Sequence, residues 1–452
     1  MIVFLSIVLS IIIGVIFSLK RPSTIAKWLL IAFIFTVLIM NIITIYKSVL
    51  FDKFEIGSGI FSYTLSFDIN IFIFSLLSIV FVLIVSISKL PDEYDDIGLY
   101  LAGLGLTLGL LSSSKCLYTL MFISLLQVVI YHLAYKERRQ RDIANLDRAF
   151  RWNIFSMLLI IIGLSISRVG FNIWAFYPIG LPASTTGSIL MVIGLCGLAS
   201  QPPFHLWLTE TTSGRPTNSA IIASTFAIIP PFYLIMKVGA FAMPNDPAII
   251  VGSIIGILGF LGLSAQALIE NRIDRQAGIL TSALMGLSIF TVLRMGYQTH
   301  FAMLIIILLS ASRLISFLTT STLERIGYDR DMRKFTSLLN EGKILPTSII
   351  VQSLLVFPIF APALYPSILI STSLGIRVHA VIFIIIIIGL ILYSCNAVKL
   401  LESTIGGKKV RKKNRKVIKK ETLIALIMAN CLGIIIALWT LFQPLLRIIL
   451  TV

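Results

Sequence analysis

Residues 194–239 read GLCGLASQPPFHLWLTETTSGRPTNSAIIASTFAIIPPFYLIMKVG. An apolar helix runs into Pro202-Pro203 and must break there, because proline lacks the N–H and clashes with the preceding turn. His205 and Trp207 follow at the break, then a polar turn, Ser213-Gly214-Arg215-Pro216, and a second apolar helix from Thr217. A broken helix inside a membrane frees backbone N–H and C=O groups. Such a break persists only where protein or a water-filled cavity satisfies them. In transporters, discontinuous helices mark the pathway.

The remainder of the chain supports the membrane setting. Of 452 residues, 57% are hydrophobic and 13% charged, with a mean hydropathy of +0.99. Soluble domains carry about 25% charged residues. Apolar runs near the ~20 residues that cross ~30 Å of hydrocarbon recur from end to end. They number fourteen, including a broken one at 185–208 and a proline-interrupted one at 345–366. The expected fold is an all-α polytopic membrane protein. The N-terminal run, MIVFLSIVLSIIIGVIFSLKRP, has no basic leader region and no small-residue cleavage site, and reads as a first span.

Net charge is +17. The basic residues concentrate in alternate loops: Lys20 and Arg21, Lys136 to Arg148, Arg272, Arg325 to Lys334, and Lys408 to Lys420. Under the positive-inside rule, this pattern places both termini outside a cell (inner) membrane. It also argues for membrane surface and against nucleic acid as the reason for the charge. The run at 408–420 is the densest. It reads either as a contact for anionic lipid or an acidic partner, or as a topology anchor. Cys116, Cys196, Cys395 and Cys431 lie in or beside apolar spans without CxxC spacing and read as buried thiols rather than disulfides or metal ligands.

Pro346, Pro358, Pro362 and Pro366 interrupt the twelfth span, five spans after the first break. Breaks in the seventh and twelfth spans suggest two five-helix repeats, inverted because five is odd. The resulting division is 1–97 for spans one to three, 98–243 and 247–400 for the repeats, and 401–452 for the basic loop and last span.

Chemistry is sparse. All 20 Asp and Glu residues fall in loops or at span ends, whereas an intramembrane carboxylate is the usual element of a proton or sodium path. Three bases are candidate pathway residues. Arg313 lies midway along the eleventh span among serines, either as a coupling residue or as a structural cation on backbone carbonyls. Lys237 lies near the end of the eighth span, in the path or snorkelling to the surface. His205 sits at the break, as a titrating group or as a structural partner of the broken backbone. No nucleophile triad, nucleotide loop or metal-ligand cluster is visible, so no cofactor, metal or catalytic residue is assigned.

The stretch QPPFHLWLTETTSGRPTNSAII, with this span pattern, resembles the antiporter-like subunits of respiratory NADH dehydrogenase (complex I), multisubunit cation/proton antiporters and membrane-bound hydrogenases. Gln201, Pro203, His205, Trp207, Leu208, Pro216, Thr217, Ser219 and Ala220 match the family's motif. The resemblance implies a central hydrophilic axis: a Glu in span five, a Lys in span seven, a Lys or His in span eight and a Lys in span eleven. Here those positions fall on Ser124 or Leu125, on Leu198, on Ala223 and near Ile229, and on Arg313. One cation remains, and arginine stays protonated in proteins. The resemblance therefore implies a divergent membrane subunit of a proton- or cation-translocating complex with a degenerate proton path. The alternative is a non-pumping structural or assembly subunit. Either would have no redox site of its own, and its partners would be the other membrane subunits.

Overall fold

The computed structural model describes residues 2–19, 23–48, 53–56, 63–66, 69–89, 93–113, 116–136, 140–166, 185–239, 246–295, 300–334, 344–355, 359, 376–405 and 419–451. The first helices are α1 (Ile2–Leu19), α2 (Thr24–Ser48), α3 (Ile69–Ser88), α4 (Asp95–Ser112), α5 (Cys116–Tyr135) and α6 (Gln140–Ile166). The central ones are α7 (Thr185–Leu198), α8 (Leu206–Thr212), α9 (Pro216–Ile221), α10 (Ile229–Gly239), α11 (Pro247–Ile269), α12 (Ile273–Met295) and α13 (His300–Arg325). The last are α14 (Ile344–Leu354), α15 (Ile376–Ile405) and α16 (Lys420–Thr451). Among the described residues, nine helices are long and apolar enough to cross a membrane.

Three features differ from the sequence reading. The all-helical expectation misses an antiparallel ribbon between α2 and α3, β1 (Lys53–Ile56) paired with β2 (Tyr63–Ser66). The basic stretch read as a loop from Lys136 to Arg148 is helical from Gln140 onward and forms the first turns of α6. The eighth span is itself discontinuous. A π-helical turn, Ile222–Phe226, separates α9 from α10, and the Ala227 N–H reaches back to the Ile222 carbonyl at 2.9 Å. Pro230 and Pro231 lack the N–H groups that would continue regular bonding, and π-turns accommodate such irregularity. The second expected break, at Pro358 to Pro366, lies outside the described residues, where α14 has already ended at Leu354.

Polarity is arranged for lipid rather than water. The segment α9–α10 and helices α12 and α13 form the buried interior. Around them α2, α6, α15 and α16 turn apolar side chains outward, among them Trp28, Leu158, Ile388 and Ile435. Cys395 of α15 and Cys431 of α16 are exposed with them, so of the four expected buried thiols only Cys116 and Cys196 are buried. The interior helix α13 is rich in hydroxyls, which a membrane core tolerates only if they are bonded. Thr319, Thr320 and Thr322 donate to the carbonyls of Ile315, Ser316 and Leu318, four residues back, at 2.7–2.8 Å. Small residues let helix backbones touch. A Cβ on Gly256 of α11 would lie 2.7 Å from the Gly286 carbonyl oxygen of α12.

Candidate functional site

The break between α7 and α8 is built from side chains that replace lost backbone bonds. The Gln201 N–H bonds the Cys196 carbonyl at 2.9 Å, one residue longer than helical spacing. The Gly197 carbonyl accepts from the Ser200 N–H at 2.9 Å and from Trp207 Nε1 at 3.0 Å. Gln201 Nε2 donates to the Ala199 carbonyl at 3.0 Å and, across to α12, to the Ser282 carbonyl at 2.8 Å. Ser200 has φ +59°, in the left-handed region. Its Oγ donates to the His205 carbonyl at 2.9 Å and accepts from Ser282 Oγ at 2.8 Å. Trp207, Gln201 and Ser200 thus satisfy the broken backbone. The His205 ring does not: its buried Nδ1 has no partner among the described residues.

Arg313 projects from α13 into the same interior. It is 2% exposed. Nη1 donates to the Ala277 carbonyl of α12 at 3.1 Å, and Nη2 to the Tyr393 hydroxyl of α15 at 2.9 Å. Polar neighbours continue outward from it. Gln276 donates to Asn396 at 3.0 Å, Asn396 to the Ser264 carbonyl at 3.1 Å, and Gln352 to Ser316 Oγ at 3.1 Å. Lys237, near the end of α10, does not snorkel free. It donates to the Ser113 carbonyl, where α4 ends, at 2.6 Å, and its ammonium lies 4.7 Å from the Tyr233 ring centre. The sequence candidates His205, Lys237 and Arg313 therefore sit on three different contacts. Helix α12 joins two of them, with Ser282 on the break and Ala277 on Arg313.

Among the described residues, a dense charge cluster lies at one end of the bundle, where sequence reading places ordinary loop residues. Lys89 and Asp96 are both 0% exposed and bond at 2.6 Å. Asp96 also accepts from Lys136 at 2.7 Å and from Arg215, in the polar turn before α9, at 3.1 Å. Lys89 donates further to Asn218 Oδ1 at 2.7 Å and Thr217 Oγ1 at 3.1 Å. Asn218 accepts from Tyr100 at 2.6 Å and donates to the Leu133 carbonyl of α5 at 3.0 Å. Cations also cover the end of α3, as its carbonyls favour. Lys27 donates to the Lys89 carbonyl at 2.8 Å, and Arg325 to the Ser88 carbonyl at 3.1 Å and Glu93 at 3.0 Å. Burial pushes the Lys89 ammonium below its usual pKa, against the pull of Asp96 and Glu93. Burial also opposes the charge on Lys136, but Asp96 and Asp95 outweigh it and hold that pKa above the usual lysine value.

A second ion cluster holds the other side of the polar turn. Buried Asp274 accepts from Arg272 at 2.7 Å and Arg330 at 3.0 Å, and Arg330 donates to the Ser213 and Gly214 carbonyls at 2.9 and 2.8 Å. Between the two clusters opens a cavity of about 1010 Å³ bordered by Glu93, Arg215, Arg325, Arg272, Arg330 and Asp331. The one sequence signal for this end is the acid-rich start of α4, where Asp95 and Asp96 lie in the first helical turn. The helix dipole favours carboxylates there.

The two discontinuous helices, the polar turn that joins them and the α12 contacts all fall inside one matched segment. Residues 113–394 match the family model "NADH:quinone oxidoreductase/Mrp antiporter, TM". The chain belongs to this family. Chain 5 of the NADH-ubiquinone oxidoreductase of Pongo pygmaeus is 24% identical over 189 residues, 40% of this chain and 31% of that relative. Subunit L of the NADH-quinone oxidoreductase of Neisseria meningitidis serogroup A is 25% identical over 162 residues, 34% of this chain and 23% of the relative. The matches thus span less than a third of these family members. The fold agrees over a longer range. A chain of the Mrp complex from Dietzia sp. DQ12-45-1b superposes with a TM-score of 0.81 at 13% identity, covering 98% of this chain and 95% of that one. A chain of respiratory complex I from Thermus thermophilus does so with a TM-score of 0.76 at 16% identity, covering 96% and 98%. The protein is therefore a multi-pass helical membrane protein with the antiporter-like fold of its family.

Proposed function

We propose that this chain is a membrane subunit of a proton- or cation-translocating complex of the NADH dehydrogenase or cation/proton antiporter type, and that its own proton path is degenerate. One observation carries this reading. The cation midway along α13 is Arg313, held by a carbonyl and a phenol, with no carboxylate among its partners in the described residues. A relay that alternates between a carboxylate and a base needs both groups to change protonation, and arginine does not. The buried carboxylates Asp96 and Asp274 stand instead at the bundle end, fixed in ion pairs. The apolar outward faces and the family's fold suit packing beside other membrane subunits.

The finer architecture goes with this reading: fourteen spans, inverted repeats over 98–243 and 247–400 with breaks in the seventh and twelfth spans, both termini outside an inner membrane, and anionic lipid at 408–420. The gathering of Lys89, Lys136, Arg215, Arg272, Arg325 and Arg330 at one end supports the alternation of sides. Most of the basic run lies outside the described residues; Lys419 and Lys420 at its end are exposed. A conducting alternative would route charge through His205, Lys237 and Arg313, and the partnerless buried Nδ1 of His205 is the observation that favours it. Gentle solubilisation of the native membrane and purification through a tag on this chain test the assignment. Stoichiometric recovery of further multi-pass subunits is expected. Recovery of this chain alone, from membranes in which cross-linking also finds no neighbour, would refute it.

A further inference from the structure

The Arg313 guanidinium is a buried charge that no carboxylate pairs among the described residues. Leaving an ion uncompensated in a low-dielectric interior costs several kcal/mol even after relaxation. No acidic residue of the sequence falls in 275–323, 344–355 or 376–401, the stretches of α12 to α15 around it. Asp274, at the start of α12, is already bonded to Arg272 and Arg330.

Beside the guanidinium lies a void of about 20 Å³, bordered by Gln276, Arg313, Ser316, Gln352, Ser353 and Tyr393. Its lining has an excess of donors. Arg313 Nε and Ser353 Oγ are buried and have no hydrogen-bond partner among the described residues. The Tyr393 hydroxyl accepts from Arg313 and Ser316 Oγ accepts from Gln352, so each keeps its own proton to give. Among the described residues, Gln352 Oε1 also lacks a partner, and it accepts only. Turning that amide over would have its oxygen accept the Ser316 hydroxyl proton and would offer the Gln352 amide N–H to the void in place of that hydroxyl. A void of this size admits about one small occupant, so a compact ion suits it better than a large organic carboxylate.

We propose that this void is a binding site for one small monovalent anion of halide size, bound against Arg313 Nε and the hydroxyls of Tyr393, Ser353 and Ser316. The anion supplies the missing counter-charge and consumes donors that the fold leaves unpaired. It also locks Arg313 between α12, α13 and α15. The site stands independently of whether the chain conducts protons.

The test uses the purified full chain in detergent, unfolded thermally in sodium bromide or in sodium gluconate at equal ionic strength. Bromide is expected to raise the unfolding midpoint saturably, whereas gluconate, too large for the void, does not. Tyr393→Phe keeps the charge but removes one donor to it, which should raise the half-saturating bromide concentration about tenfold. Arg313→Gln should abolish the bromide response. In crystals grown with bromide, an anomalous peak is expected beside Arg313 Nε. A bromide response that persists in Arg313→Gln overturns the proposal. So does a parent that is indifferent to the anion and shows no anomalous peak, which would give the void to water. If Arg313→Gln does not fold, the Tyr393→Phe titration and the anomalous peak still decide.

Discussion

Replacing Asp96 with asparagine should be among the most destabilising single polar substitutions in the protein. Asp96 is 0% exposed and accepts from three cations: Lys89 at 2.6 Å, Lys136 at 2.7 Å and Arg215 at 3.1 Å. Lys136 and Arg215 are partly exposed and can turn to water; Lys89 is 0% exposed and cannot. Its remaining partners are the Asn218 and Thr217 side-chain oxygens and Glu93 at 3.7 Å. Removing one member of a buried ion pair costs about 3–5 kcal/mol, because the other charge is left behind. The exposed partners and Glu93 offset part of this, so about 3 kcal/mol is expected. Unfolding of the purified chain in mixed micelles, titrated with a denaturing detergent, measures the loss. A second substitution separates charge from shape: Lys89→Met with Asp96→Asn removes the stranded ammonium and should recover more than 1 kcal/mol of the single-variant loss. An Asp96→Asn variant within 1 kcal/mol of the parent would refute the reasoning. So would a double variant as unstable as the sum of the singles.

Three further outcomes follow from the packing and the break. Trp207→Phe removes one of the two donors to the Gly197 carbonyl and should cost about 1 kcal/mol, read by the same micellar unfolding. Gly256→Ala places a methyl 2.7 Å from the Gly286 carbonyl, pushes α11 from α12, and should destabilise by about 1–3 kcal/mol, whereas Gly262→Ala, whose Cβ meets nothing, should lie within about 0.5 kcal/mol of the parent. Lys237→Met leaves the Ser113 carbonyl without that donor, so hydrogen exchange at the end of α4 should quicken relative to the rest of that helix.

Much of the fold was legible in the sequence because its signals are local. Apolar runs of spanning length need no partner to be recognised, and Pro202-Pro203 must interrupt a helix wherever it packs. The π-turn at 222–226 was harder to see. Pro230 and Pro231 announce irregularity, but whether the chain kinks, breaks or widens depends on what surrounds it. The charged end was legible only in position. Asp96 and Lys89 do stand at span ends, where charges are ordinarily solvated, and nothing local reveals that Asn218 and Arg215, more than a hundred residues later, close over them. His205 shows the opposite limit. A histidine at a helix break is a natural partner for freed carbonyls, yet Trp207, Gln201 and Ser200 take that role, because each reaches a carbonyl across the turn. Arg313 stands out in the sequence as a cation midway along a span, but the choice of Tyr393 and the Ala277 carbonyl as its partners depends on helix packing that pattern alone does not contain.

The degenerate path is tested most directly by ion flux. The purified full chain is reconstituted into liposomes, its fold verified by thermal unfolding, and proton flux is followed with an entrapped pH dye under an imposed gradient, with sodium flux measured in parallel. Flux equal to the leak of empty vesicles is expected for the parent and equally for Arg313→Gln and His205→Ala. Parent flux clearly above that leak, lost on substitution of Arg313 or His205, would contradict the degenerate path and establish a conducting one.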